Sequence, residues 1–265
     1  MSKSSSPTKL ALLVCGSLTG SLKDTYGDYT AVFGEFLQRA LPKDVKFILD
    51  PYDVVFKMEY PPEDKIDTYE GIIYTGSAAS AYEDVEWINK LVSYTAHIAK
   101  DKPNVKLIGI CFGHQIIGRA LGAECVPNNG KWEVGPTTLD LTELGKELFG
   151  VETLNIQQMH RDHVPTLPPN VQLLASTPVS YNQGMVRFTA NPESAQRKLN
   201  DVQIFTLQGH PEFVEGLVTG LVEVRAKSGI IDAETAADSE RRKGWRNDGV
   251  PVIGKAIWGI LGVTA

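Results

Sequence analysis

Cysteine is scarce in this chain of 265 residues. The three thiols, Cys15, Cys111 and Cys125, are far apart, and no two of them form a Cys-x-x-Cys pair. Three dispersed thiols do not make a disulfide framework, and no group of His, Cys and Asp residues has the spacing of a metal site. We therefore expect a reducing compartment, no bound metal and no cofactor, so each thiol needs its own explanation.

Long apolar runs and basic blocks are also missing. No stretch approaches the roughly 20 apolar residues that cross a bilayer, and the apolar run at residues 10–15 is too short for a secretory signal. Lys and Arg number 26 against 32 Asp and Glu, which gives a formal net charge of −6. Acidic balance without a basic patch argues against nucleic acid as a partner. These features predict a cytoplasmic protein that binds neither membrane nor nucleic acid.

The chain has no internal repeat, no low-complexity linker and no shift in composition. Hydrophobic residues make up 42% and charged residues 22%, which is typical of a globular domain. We predict a flexible tail at residues 1–8 and a single domain at 9–265, within which residues 214–265 form a helical C-terminal extension.

Apolar patterns alternate between strand and helix along the first half of the chain. Helical spacing predicts six helices, at residues 28–41, 84–99, 112–121, 214–227, 233–243 and 252–261. Short apolar runs predict nine strands, at residues 9–15, 45–49, 71–75, 106–110, 137–141, 154–158, 171–176, 184–188 and 203–208. The alternation indicates an α/β fold with a mostly parallel central sheet, in which ligands bind beyond the carboxyl ends of the strands. That rule directs attention to residues 75–80 and 110–115.

The candidate nucleophile is Cys111, in the segment Gly109-Ile110-Cys111-Phe112-Gly113 between a predicted strand and a predicted helix. This is the cysteine form of the nucleophile elbow. A helix amino terminus stabilises a thiolate, and the N–H of Phe112 would point at an oxyanion. The alternative is a buried cysteine in a glycine-rich turn. Cys15, within the first predicted strand, and Cys125, in an apolar stretch, are expected to serve the core.

A cysteine nucleophile needs a base and usually a group that orients it. Among five histidines, His210 stands out because Glu212 follows two residues later on an extended segment, on the same side of the chain. We interpret His97 as a surface or helix-packing residue, His114 as packed or locally hydrogen-bonded, and His163 as facing solvent.

Five ordered segments together resemble the class I glutamine amidotransferases over roughly residues 10–213. They read Thr-Gly-Ser-Ala-Ala-Ser at 75–80, Gly-Ile-Cys-Phe-Gly-His-Gln at 109–115, Lys-Trp-Glu-Val-Gly at 131–135, Met-His-Arg-Asp-His-Val at 159–164 and Gln-Gly-His-Pro-Glu-Phe at 208–213. The resemblance implies a flavodoxin-like three-layer fold and hydrolysis of a glutamine side-chain amide through a γ-glutamyl thioester.

Carried over by position, the resemblance makes Cys111 the nucleophile, His210 the general acid and base, and Glu212 its orienting group. The oxyanion hole would be built by Gly76, Ser77 and Phe112. Substrate contacts would come from Gln115, His160 and Asp162. For His160 and Asp162 a polar turn between strands is an equal alternative, and Trp132 and Glu133 could line the same pocket or lie on an ordinary surface.

Two departures from the family pattern affect the function. The oxyanion loop reads Gly-Ser-Ala where the family usually has Gly-Gly-Pro, and the 53 residues after Glu212 are too few for an ammonia-using synthase domain. The Gly-Ser loop followed by Tyr82-Glu83-Asp84 and Trp87 looks most similar to stand-alone members, which include fungal glutamine amidotransferase-like proteins and plant γ-glutamyl peptidases.

The function remains open between three classes. The first is a glutaminase-type hydrolase that supplies ammonia to a separate partner protein, or a γ-glutamyl peptidase that acts on glutathione-like conjugates. The second is a non-catalytic binding or regulatory module. The third is a related cysteine hydrolase or chaperone with a similar elbow. In the first class the substrate is a small molecule, glutamine or a γ-glutamyl compound.

Overall fold

The strands and helices were taken from a computed structural model, which describes residues 6–189 and 198–263. The strands are β1 Thr8–Val14, β2 Phe47–Asp53, β3 Gly71–Tyr74, β4 Lys106–Ile110, β5 Val126–Pro127, β6 Glu133–Leu141, β7 Thr153–His160, β8 Asp162–His163, β9 Gln172–Ser176, β10 Gly184–Phe188 and β11 Val202–Leu207. The helices are α1 Gly20–Tyr26, α2 Tyr29–Ala40, α3 Glu63–Ile66, α4 Glu86–Asp101, α5 Phe112–Ala120, α6 Glu143–Phe149, α7 Glu215–Lys227, α8 Ala233–Arg242 and α9 Lys255–Ile260.

Nine strands form one mixed sheet in the order β2-β1-β3-β4-β11-β10-β9-β6-β7. The first five are mutually parallel, and each pairing from β11 to β7 is antiparallel. Seven strands consequently run in one direction, because β9 and β7 regain the direction of β11. The predicted α/β architecture with a mostly parallel sheet is confirmed.

Helices cover both faces of the sheet, so the fold has three layers. Alternate residues of β1 enter different cores: Leu10 and Leu12 pack on the side of α2, α7 and α9, whereas Ala11 and Leu13 pack on the side of α4 and α5. All four are fully buried, as expected for a strand covered on both faces.

The C-terminal segment covers the sheet. Trp258 of α9 is buried, and its indole N–H donates to the carbonyl of Leu37 on α2 at 3.0 Å. A π-helical turn, Gly249–Gly254, replaces the start of the helix predicted at 252–261. At its beginning Gly249 packs so tightly on the backbone of Pro211 that a side chain has no room.

Three short helices were not predicted from the sequence pattern. Helix α1 buries none of its residues and α3 and α6 have only four and seven residues, so none of them carries a long apolar stripe. Strand β6 begins four residues before the predicted strand. Of the predicted N-terminal tail, residues 1–5 lie outside the described part of the chain, and Thr8 already pairs with Phe47.

No helix within residues 6–189 and 198–263 combines the length and the apolar character that a membrane crossing requires.

Candidate active site

Cys111 occupies a sharp turn between β4 and α5. Its backbone has φ 53° and ψ −103°, a region that residues with a side chain rarely adopt. A β-carbon on Gly109 would lie 2.6 Å from the carbonyl oxygen of Gly113, and one on Gly113 would lie 2.5 Å from Cβ of Tyr74. The two glycines of the elbow are therefore required by close packing, and they hold the thiol at the amino end of α5.

His210 follows β11, the strand that pairs directly with β4. The parallel register places Leu207 beside Ile110, so the segments that follow both strands meet at one edge of the sheet. Nδ1 of His210 lies 2.8 Å from Oε1 of Glu212, and both side chains are buried. The imidazole also stacks on Phe213, with ring centroids 4.0 Å apart. Ring orientation is thus fixed by a carboxylate on its edge and an aromatic ring on its face.

Gly76, which follows β3, connects the thiol and the imidazole. A β-carbon on Gly76 would lie 2.9 Å from Cε1 of His210 and 3.8 Å from Cβ of Cys111. The structure therefore brings Cys111, His210 and Glu212 together with the loop after β3. Only glycine leaves room for the imidazole at this position.

Electrostatics around His210 favour the imidazolium. Burial alone would lower the pKa of His210, but the negative charges of the Cys111 thiolate and the Glu212 carboxylate outweigh burial and raise it to about 10. The arrangement thus favours the protonated form of His210 at neutral pH.

Two backbone N–H groups are available beside Cys111. The N–H of Phe112 belongs to the first turn of α5, where no helical acceptor exists. Within the described ranges the N–H of Ser77 has no protein acceptor either. Gly16 supports this loop from behind, since a β-carbon there would lie 3.2 Å from Cα of Ser77.

The other two thiols are buried away from this arrangement. Cys15 was predicted as the last residue of the first strand, but β1 ends at Val14 and Cys15 follows it directly. The N–H of Cys15 donates to Oγ1 of Thr75 at 2.9 Å. Burial raises the pKa of Cys15 and that of Cys125 to about 12. Both are therefore protonated at neutral pH, and only Cys111 lines the cavity described below.

The predicted substrate contacts form a connected wall. Nε2 of Gln115 donates to the carbonyl of Asp162 at 3.0 Å and to Oε1 of Gln208 at 3.1 Å. Oγ of Ser80 donates to Oδ2 of Asp162 at 2.6 Å, and Nδ1 of His160 lies 3.0 Å from the Asp162 carbonyl. Gln115, His160 and Asp162 all line the cavity.

Glu133 plays a different part from the one the sequence suggests. It is buried behind the wall, where it lies 3.0 Å from Nε2 of His160 and accepts a hydrogen bond from Oγ1 of Thr177 at 2.7 Å. Trp132, the residue before it, does line the cavity. The acid therefore holds His160 in place, while the aromatic ring faces the open space.

The remaining histidines lie outside the site. His97 is on the surface of α4, between Glu63 and Asp101. His114 is fully buried, in agreement with the packed alternative, and its Nδ1 lies 2.7 Å from Oγ1 of Thr206 on β11, which is distant in sequence. His163 is half-buried beside Ser180 rather than facing solvent. In the described part of the chain, no three His, Cys, Asp or Glu side chains are arranged to hold a metal ion.

A cavity of about 840 Å³ opens above Cys111. Its walls include the segment after β1 at residues 17–22, the loop after β3, Trp132, Tyr29 and Arg225. This volume lies in the range that holds drug-sized ligands. Tyr29, Arg225 and the segment 17–22 are not predicted from the sequence as residues of the site. The segment was open to prediction, because β1 ends at the same edge of the parallel sheet as β3 and β4.

The fold and the elbow define an α/β protein in which a cysteine at a strand–helix turn lines a ligand-sized cavity. The family model described as glutamine amidotransferase class-I matches residues 29–222. The chain belongs to this family, which agrees with the resemblance of its motifs.

Relatives and solved structures agree with this assignment. A glutamine amidotransferase-like protein of Schizosaccharomyces pombe is 31% identical over 239 residues, covering 88% of this chain and 90% of its own. Gamma-glutamyl peptidase 4 of Arabidopsis thaliana is 30% identical over 224 residues, which cover 82% of this chain and 81% of the peptidase. A crystal structure of a glutamine amidotransferase from Thermotoga maritima superposes with a TM-score of 0.67 at 16% identity. The superposition covers 96% of this chain and 98% of the Thermotoga chain, and it supports the fold. Together the family and its peptidase relatives support an enzyme of this superfamily.

Proposed function

We propose that the protein is a Cys-His-Glu hydrolase that cleaves the γ-carbonyl bond of glutamine or of γ-glutamyl compounds. The observation that carries this proposal is the position of Cys111, at a strained elbow, on the cavity wall and beside the buried His210–Glu212 pair. Membership of the glutamine amidotransferase family supports the choice of acyl group.

The reaction would begin with attack of the Cys111 thiolate on the γ-carbonyl carbon. The oxyanion that forms would accept hydrogen bonds from the N–H groups of Phe112 and Ser77. His210 would then give its proton to the leaving nitrogen as the carbon–nitrogen bond breaks. Ammonia or an amine departs, and a γ-glutamyl thioester remains on Cys111.

Hydrolysis of the thioester would reverse these roles. Neutral His210 would take a proton from water as the water attacks the thioester carbonyl, and the Cys111 thiolate would leave. Glutamate is released, and the thiolate–imidazolium pair is restored. Glu212 would hold the imidazole in place throughout, and Gln115, His160 and Asp162 would form the wall beside the glutamyl group.

The leaving group separates two forms of the proposal. A glutaminase would release ammonia for a separate partner protein, whereas a γ-glutamyl peptidase would release an amino acid or a peptide. The 840 Å³ cavity and the Arabidopsis relatives described as gamma-glutamyl peptidases favour the second form. A cytoplasmic location is part of the proposal, and the composition of the chain supports it.

Substitution of the thiol tests the proposal. Purified protein would be assayed for ammonia released from glutamine and for amine released from γ-glutamyl peptides. We expect Cys111→Ala to lower kcat by about 10³-fold or more, because a nucleophile is lost. Cys125→Ala removes a buried thiol outside the cavity and serves as the matched control. Full activity of Cys111→Ala would show that the nucleophile is assigned wrongly.

Covalent labelling separates an enzyme from a binding module. A glutamine-like diazoketone should modify Cys111 in the folded protein, and mass spectrometry would locate the adduct. A folded protein that is neither labelled at Cys111 nor active on any γ-glutamyl substrate would favour the non-catalytic module.

A further inference from the structure

Arg225 on α7 is an arginine with no anionic partner on the wall of the catalytic cavity. In the part of the chain that the structure describes, no carboxylate or carbonyl oxygen pairs with its guanidinium. The contact that the structure shows is with an aromatic ring: Cζ of Arg225 lies 5.4 Å from the centroid of Trp132. Burial lowers the pKa of Arg225, and the negative charge of Cys111 opposes that effect. The guanidinium is therefore partly desolvated within electrostatic reach of the thiol.

A second arginine lies against the same tryptophan. Cζ of Arg161 is 5.8 Å from the Trp132 centroid, and Arg161 also lines the cavity. The acidic side chain on that wall, Asp162, already accepts a hydrogen bond from Ser80. Although the whole chain carries a net charge of −6, this part of the cavity presents two cations stacked on one ring. Its charge fits an anionic ligand.

Guanidinium groups recognise carboxylates through two parallel N–H···O bonds, and stacking on an aromatic ring holds the planar group in position for them. A partly desolvated site strengthens such a pair. The chemistry of the site therefore favours a carboxylate over a neutral amide.

The position of α7 indicates which end of a substrate meets Arg225. His210 must reach the leaving nitrogen, because it supplies the proton for that atom. Helix α7 begins at Glu215, shortly after His210, and its residue Arg225 lines the same cavity as Cys111. Gln115 and Asp162 form the wall contributed by α5 and β8.

We propose that Arg225 binds a carboxylate on the leaving amine, so that γ-glutamyl amino acids and short γ-glutamyl peptides are preferred over glutamine. This inference rests on the proposed function, whose acyl group it keeps, and it adds a residue that determines specificity. Trp132 supplies the ring against which the guanidinium packs, and Arg161, which contacts the same ring, adds a second positive charge.

Two substrates that differ only in the relevant charge test the inference. γ-Glutamylglycine carries a carboxylate on its leaving group, and γ-glutamylglycinamide replaces that group with a neutral amide. We expect the wild-type protein to favour the acid by about 10- to 100-fold in kcat/KM, mainly through KM. Arg225→Gln should abolish this preference, so that acid and amide are cleaved with similar kcat/KM, and Arg225→Lys should retain part of it.

Controls make the outcomes separable. Arg241→Gln removes an exposed arginine of α8 and should behave as wild type. Binding of the two compounds to Cys111→Ala, measured by calorimetry, reports recognition without turnover and should show the same preference. Arg225→Lys also keeps the test valid if Arg225→Gln does not fold.

Three outcomes would overturn the inference, and each differs from failure of the proposed function. Equal treatment of acid and amide by the wild-type protein would remove the leaving-group site while hydrolysis stands. An equal loss of kcat/KM on both substrates in Arg225→Gln would show that Arg225 binds the glutamyl α-carboxylate, which both substrates share. A preference that survives in both Arg225 variants would assign it to other residues. Absence of cleavage, binding and labelling would reject the proposed function itself.

Discussion

His210 is held in a balance between opposing effects. Burial disfavours its charge, whereas Glu212 on one side and the Cys111 thiolate on the other favour it, so that its pKa is raised to about 10. In the proposed mechanism the imidazolium is the acid that protonates the leaving group. Activity should therefore persist through neutral pH and fall as pH rises through the pKa of His210. Because thiol and imidazole interact, the measured value belongs to the pair.

Glu212→Gln tests these opposing effects on the pKa of His210, because it removes the carboxylate charge and nearly preserves the shape of the side chain. Removing the carboxylate charge lowers the pKa of His210, so the alkaline fall of kcat/KM should move to lower pH. We also expect kcat to drop by about 10²-fold or more, because the amide can orient the imidazole in the wrong tautomer. A pH–rate profile measures both effects. Glu215→Gln, at an exposed site three residues on, is the control, and an unmoved alkaline limb would contradict the balance.

The elbow between β4 and α5 is the element that fixes the thiol. Its strained backbone at Cys111 is held by a helix that approaches β3 closely enough to exclude any side chain at Gly113. Strain of this kind persists where the surrounding structure leaves the chain no alternative.

Gly113→Ala should destabilise the protein by about 1–3 kcal/mol or more, because the new methyl group overlaps Tyr74. It should also reduce activity, since the turn that carries Cys111 must shift. The matched control is Gly34→Ala in α2, where nothing lies within 4 Å of the added carbon and the exchange should stabilise by about 0.5–1 kcal/mol. Urea unfolding compares them, and equal stabilities would disprove the packing argument.

Local patterns made the α/β class and most long elements predictable. Buried runs such as β4 and the apolar spacing of α2 follow from periodicity, and the chemical groups of the site lie in short motifs at strand ends. The part that could not be predicted depends on packing between distant segments. Helix α7 has an ordinary helical pattern, so nothing local indicates that Arg225 lies beside Trp132. Likewise, Glu133 looks like a loop residue until β6 pairs with β7.

At the scale of the whole molecule, the site is assembled from both halves of the sheet. The parallel half supplies Cys111 and the loop after β3, and the antiparallel half supplies the wall that contains His160. An isolated antiparallel bridge links the two halves: the N–H of His210 donates to the carbonyl of Gln157 on β7 at 2.7 Å. Stability of the whole fold therefore limits the integrity of the site.

His114, a buried residue of the elbow helix α5 that contacts Thr206 on β11, couples that stability to pH. Burial, followed by repulsion from His160, lowers its pKa to about 3. The unfolded chain takes up a proton as pH falls below about 6.5, and the folded chain does not. The stability that neutral His114 provides is therefore present above pH 6.5 and is lost progressively as pH falls towards 3.

His114→Asn should remove this dependence while keeping a polar group near Thr206. We expect the free energy of unfolding of the wild type, relative to the variant, to decrease by about 2 kcal/mol from pH 7.5 to pH 5.0. Urea unfolding at the two pH values measures it. His97→Asn is the contrasting variant: hydrogen bonds to Glu63 and Asp101 raise the pKa of His97, so its loss should steepen the fall of stability towards low pH. A constant difference between wild type and His114→Asn would show that His114 does not contribute.

The two glycines of the elbow have a consequence for how such a molecule can diverge. Around Cys111 the neighbours leave no room for any additional atom, so substitutions there are removed with the fold. The residues at the cavity mouth, among them Arg161, Val224 and Ile230, are exposed and tolerate replacement. We therefore expect substitutions to be tolerated at the mouth of the cavity more often than at the elbow. A chain built in this way can change the ligand that its cavity accepts while it keeps the turn that holds Cys111.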